Sequence, residues 1–157
     1  MRYVCLSILC LFIYSCGYSL VSNNPSKLDA VLIYEGTPLN KLLVKNIKSN
    51  QGYVGLNLSK TDQVDLKIRI ISQRIGKFLS ATDKNLTPAV GSIEYSLEYE
   101  FILDDKIISQ SFYDSELYPY NTSNILSNDK ITEEIKNSFL DKALDDIKFN
   151  LIKIFNG

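Results

Sequence analysis

Residues Ser92–Leu103 read SIEYSLEYEFIL. Ile93, Tyr95, Leu97, Tyr99, Phe101 and Leu103 fall on one side of an extended chain, and Ser92, Glu94, Ser96, Glu98 and Glu100 on the other. Successive side chains of a strand point to opposite faces, so the alternation predicts a strand with one face in a core and one in water. The aromatic and branched side chains on the apolar face suit a pleated, half-buried surface. Whatever covers that face has to be long and amphipathic.

The flanking sequence supplies the partners. Asp104-Asp105 is a short turn into a further run, Lys106 to Tyr113, which predicts a hairpin. Upstream, Leu66, Ile68 and Ile70 alternate with Lys67 and Arg69 in a strand expected to reach about Phe78, and the phase shift at Ile71 marks a bulge. Further back, Ala30–Tyr34 (AVLIY) is a continuous apolar run of the kind found inside a sheet. Between these two, Thr37 followed by Pro38 is a helix start, and Leu39, Leu42, Leu43 and Ile47 recur at helical spacing over Pro38 to Lys48. Asn50-Gln51-Gly52 ends that helix. The following YVGLNL reads as loose chain with weak strand character.

The C-terminal segment supplies the cover. Ile131, Ile135, Phe139, Ala143, Ile147 and Leu151 form a long apolar stripe, with Asn128 or Asp129 as the expected cap and Glu133 and Glu134 near the positive helix end. The order β-α-β-β-β-α predicts an α+β fold, a mixed four-stranded sheet with two helices packed on one face. A right-handed first crossover makes the first two strands parallel. The loops Leu79–Val90 and Leu117–Asp129 then share the end of the molecule away from the N-terminus.

A chain of 157 residues with 45% hydrophobic content makes one domain with a real core. With 17 basic against 18 acidic residues, bulk charge recruits no nucleic acid. There is no His, and no Cys follows Cys16. The commonest general base, the thiol nucleophile and the softer metal ligands are therefore missing, and no catalytic residue, metal or cofactor is expected. Glu94, Glu98 and Glu100 read as a solvated strand face, and Asp145 and Asp146 as neighbours of the helical stripe. The aromatic cluster Phe112, Tyr113, Tyr118 and Tyr120 leaves two readings open, a partner-binding surface or core.

The N-terminus reads as an address. Met1-Arg2-Tyr3 is a short positive start, and Val4–Ile13 (VCLSILCLFI) is apolar but too short to span a bilayer. Ile13-Tyr14-Ser15-Cys16 then resembles a bacterial lipobox: an aliphatic residue, a small residue at the cut, and a Cys whose thiol takes the diacylglycerol. Residues 1–15 are thus expected to be a lipoprotein signal peptide, 16–28 a lipidated Cys16 and linker, and 29–157 a single α+β sandwich domain. Gly17, standing where an Asp would favour inner-membrane retention, points to a lipid-anchored protein on the periplasmic face of the cell outer membrane.

With the lipobox, the CGYSL start at Cys16–Leu20, the IEYSLEYEF strand, the SFYD run at Ser111–Asp114 and a closing helix entered through an Asn- and Ser-rich loop, the chain resembles the lipopolysaccharide-assembly lipoprotein family LptE, also called RlpB. The resemblance spans the whole chain after the signal peptide. It implies a non-catalytic subunit that plugs an LptD-type outer-membrane β-barrel, assists its assembly and contacts lipopolysaccharide. Lys84 in one distal loop and Lys130 just after the other are the candidate contacts for lipopolysaccharide phosphates. The alternative is another periplasm-facing lipoprotein, a scaffold or activator of a cell-wall enzyme on the same anchor.

Overall fold

The computed structural model describes residues 27–61, 64–85, 87–104 and 106–156. The expected signal peptide, Cys16 and most of the linker lie outside the described residues. Eight elements follow in order: β1 (Leu28–Ile33), α1 (Pro38–Ser49), the single turn α2 (Gln51–Val54), β2 (Leu56–Leu58), β3 (Leu66–Thr82), β4 (Pro88–Leu103), β5 (Lys106–Pro119) and α3 (Ile125–Asn156). The strands form one mixed sheet in the order β2-β1-β3-β4-β5. β1 runs parallel to both β2 and β3, and β3, β4 and β5 are antiparallel neighbours. The fold is α+β with both helices on one face of the sheet, as expected, but the sheet has five strands rather than four.

The fifth strand is β2, which the sequence reading took for loose chain. It has only three residues, of which Leu56 alone is buried, so it carries too little alternation to stand out. It exists because Gly55 adopts a left-handed conformation at φ 82°, turning the chain out of α2 so that Leu56 lines up with Leu28. At α1 the expected cap is present: Thr37 Oγ1 accepts the Asn40 N–H at 3.2 Å, with Pro38 at the first helical position. The bulge expected at Ile71 is there too, as a register shift between Ile70 and Ser72.

The alternating strand becomes β4 and centres the core. Ile93, Tyr95, Leu97, Tyr99 and Phe101 are all buried, and Ile135, Phe139, Ala143, Ile147 and Leu151 of α3 meet them. The Tyr95 ring sits 5.8 Å from Phe139 and 5.9 Å from Phe112 of β5. Two buried phenols latch sheet to helix and strand to strand. Tyr99 donates to Asp146 Oδ2 at 2.8 Å and accepts from Asn150 Nδ2 at 2.9 Å, while Tyr95 accepts from Gln73 Nε2 at 2.7 Å. Burial pushes both phenols above their ordinary pKa, so they stay protonated at any physiological pH.

α3 also starts earlier than the sequence reading placed it. Asn128 and Asp129 are not its cap. Asn124 Oδ1 accepts the Ser127 N–H at 3.1 Å, and the helix begins at Ile125. Asn128 is buried instead and clamps the preceding loop, accepting from Asn121 N at 3.0 Å and donating to Asn121 O at 2.8 Å. Glu133 and Glu134 consequently lie past the first turn rather than at the positive end. At 1.5 Å per residue α3 is about 48 Å long, enough to run the full height of the sheet.

Candidate functional site

β3 ascends from Leu66, β4 returns and β5 climbs again to Pro119, from which the loop to α3 starts its descent. The end of β3, the start of β4, the end of β5 and the first turns of α3 therefore meet at one tip. Here the alternation of buried and exposed residues fails, because the strands outrun the core. Phe78, Leu79, Leu117, Ile125 and Leu126 are all exposed, Leu126 at 82%. Phe78 and Leu117 share one cross-strand row and Leu79 the next, so these apolar side chains crowd the tip from both faces of the sheet.

A cleft of about 300 Å³ lies at this tip, between β3, β5 and α3. Phe78, Leu79 and Ile125 form its apolar rim, and Tyr118, Tyr120 and Asn128 line it as well. Inside, Lys77 Nζ donates to Thr132 Oγ1 at 2.8 Å, and the threonine hydroxyl donates to Asp129 O at 3.1 Å. The Tyr118 ring lies across Gly91, its cross-strand partner, where a Cβ would overlap the ring. Desolvation raises the Tyr118 pKa, with Tyr120 and Asp129 adding to the effect, so the phenol remains a neutral hydrogen-bonding group. The cleft thus sets one ammonium group, Lys77, and one carboxylate, Asp129, among apolar walls and phenols.

The candidate lysines both belong to this end but are separated along it. Lys130 lies near Thr132, level with Lys77, and pairs with Glu134 at 3.8 Å. β3 climbs five residues beyond Lys77 to Thr82, roughly 17 Å at strand rise, before the turn that carries Lys84. That turn is organised by Asp83, whose carboxylate accepts the Thr87 N–H at 2.9 Å and the Asn85 N–H at 2.8 Å, lowering its pKa. Lys84 is exposed on it.

The aromatic cluster that left two readings open divides between them. Phe112 packs on Tyr95, Tyr118 is buried and Tyr120 half-buried, whereas Tyr113 is 62% exposed on the other face of the sheet. The acidic row also lies on that other face, beside a shallow hollow of about 410 Å³. Glu100 is paired with Arg69 at 3.2 Å, and Glu98 accepts from Ser72 Oγ at 3.1 Å, so these acids are held by neighbours of their own sheet. Lys77 and the apolar rim were not singled out from the sequence. Ile125 stands in what reads as loop, and only the topology brings it to the same cleft as Phe78 and Leu79.

No family model matches the chain, and no curated protein matches it by sequence. Solved structures do share its fold. The rare lipoprotein B of Shewanella oneidensis superposes with a TM-score of 0.64 at 15% identity, over 80% of this chain and 95% of that one. An uncharacterized lipoprotein B from Nitrosomonas europaea gives 0.63 at 10% identity, over 77% and 79%. A minor lipoprotein from Acinetobacter baumannii gives 0.59 at 11%, over 79% and 92%. At such identities the likeness is one of fold. Among the described residues, no helix is long and apolar enough to cross a membrane.

Proposed function

We propose that the chain is a non-catalytic lipoprotein subunit of a lipopolysaccharide translocon, anchored through Cys16 in the outer membrane and seated in an LptD-type β-barrel. The observation that carries this reading is the fold, which the chain shares over 80% of its length with a protein called rare lipoprotein B. The lipobox and the CGYSL start support it from the sequence side. The exposed apolar tip, set at the end away from the entering N-terminus, supports a role in contact with another molecule.

Affinity purification of the tagged protein from detergent-solubilised outer membranes tests the class. A single large β-barrel protein in stoichiometric amount is the expected result. Recovery with a cell-wall enzyme and no barrel would replace this reading by that of an activator.

Lipopolysaccharide contact has its own test. Charge reversal at both tip lysines, Lys84→Glu with Lys130→Glu, is expected to weaken lipopolysaccharide binding about tenfold or more at low salt, where exposed charges are least screened. Barrel assembly should be spared, since both side chains are exposed and outside the core. Equal binding by parent and double variant at low ionic strength would remove the lysines from the contact.

A further inference from the structure

The end opposite the tip has a contact surface of its own. β1 begins there, with Leu28 beside Leu56 and Ala30 level with Leu66. β4 descends to the same level, where Phe101 lies beside Ile68, and Tyr99 just above it holds Asn150 of α3. The last turns of α3 therefore sit at the end where the chain arrives from Cys16. Ile147, Leu151 and Ile154 of these turns face the core. On the outer side, Phe149 is 66% exposed, Ile152 47% and Phe155 42%.

Residues three apart are neighbours on a helix surface, so these three make one stripe. Lys148 and Lys153 border it, and no acidic residue follows Asp146 in the helix. Tyr53 of α2 adds an exposed ring beside the stripe, 3.5 Å below Lys148 Nζ, and donates its hydroxyl to Asp145 at 2.8 Å. Aromatic side chains among lysines, with the nearest carboxylate, Asp145, held by the Tyr53 hydroxyl, make a helix face suited to an anionic bilayer surface.

We propose that the Phe149–Ile152–Phe155 stripe rests on the phospholipid surface into which the acyl chains on Cys16 insert, giving the protein a second membrane contact. The inference rests on the reading of Cys16 as acylated. From Cys16 to Leu28 the chain reaches at most roughly 40 Å, so the anchor holds this end of the domain within that distance of the headgroups. At such confinement a weak amphipathic contact is populated, because the second binding event is intramolecular. The lysines match anionic headgroups, and the stripe fixes how this end of the domain sits against the bilayer surface.

The chain contains no Trp, so Phe155→Trp installs a single reporter in the full, acylated protein. In vesicles of phosphatidylethanolamine and phosphatidylglycerol, the expected result is a blue-shifted emission that loses intensity when brominated phospholipid is included. Leu126→Trp, at the opposite tip, is expected to show neither effect. Flotation of the parent against Cys16→Ala reads the anchor separately. A parent that floats while the indole at position 155 stays unquenched overturns the stripe and leaves the anchor standing. Equal flotation of both with quenching retained overturns the anchor reading and supports the stripe. A blue shift without bromine quenching would put the stripe against a second copy of the chain and overturn the proposal, as would the absence of both flotation and quenching.

Discussion

Phe139→Ala is expected to destabilise the protein by about 3–5 kcal/mol, the range for emptying a large aromatic site in a close-packed core. Phe139 is fully buried, stacks on Tyr95 and lies in the middle of α3, which covers β4 and β5. Alanine is the better helix former, but that gain is at most about 0.7 kcal/mol, so the cavity decides the sign. Small domains hold roughly 5–15 kcal/mol in total, and the variant loses a large share of it. Urea unfolding followed by circular dichroism measures the loss as a shift in midpoint. A change below about 1 kcal/mol would mean that α3 does not pack through this residue in solution.

The other large effect concerns the anchor. Cys16→Ala is expected to abolish acylation and leave the protein as uncleaved precursor or out of the outer membrane. Each buried methylene contributes about 0.8 kcal/mol of membrane affinity, and stable anchoring takes two chains or more, so loss of the thiol is close to all-or-none in partitioning. Metabolic labelling with a radioactive fatty acid, followed by fractionation, gives the readout. Cys5→Ala and Cys10→Ala should keep the label, since both lie in the segment read as discarded. Label persisting on Cys16→Ala would falsify the lipobox reading.

The parts of the fold that were legible in the sequence are those where one face of an element is wet and the other dry. β4 declares itself through a strict two-residue period because helices cover one face and water the other. The apolar stripe of α3 and the Thr37-Pro38 start of α1 are equally local signals. β3 and β5 were underestimated at their far ends for two different reasons. Beyond Phe78 β3 passes the cover of the helices, both faces become accessible and the period loses its meaning. Beyond Tyr113 β5 stays beside α3, with Asp114 paired to Lys142 and Tyr118 buried, but acidic residues at Asp114 and Glu116 on the covered side hide the period. The cap of α3 was misplaced because the Asn- and Ser-rich loop offers several side chains able to bond the first free N–H groups. Asn124 takes that role and leaves Asn128 to clamp Asn121.

The candidate site was legible only as charge. Lys84 and Lys130 follow from loop position, but the cleft between Lys77, Tyr118 and Thr132 depends on residues 55 positions apart being brought to hydrogen-bond distance. Similarly, the stripe at Phe149, Ile152 and Phe155 reads in sequence as further core. It becomes a surface only when the sheet shows which side of α3 is already occupied.

The strands that outrun the helices have one more consequence, for how such a protein changes over generations. Past Lys77, the β3–β4 hairpin is held by its own ladder and by the turn at Asp83, and its side chains from Phe78 to Thr82 are all exposed. A mutation there removes no buried methylene and opens no cavity, so selection for stability has little to act on. The core under β4 is constrained by packing, while the tip is free to drift or to adapt to a new partner. A single scaffold can in this way keep its architecture while its far end is rewritten, which suits a fold found at 10 to 15% identity in lipoproteins of different bacteria.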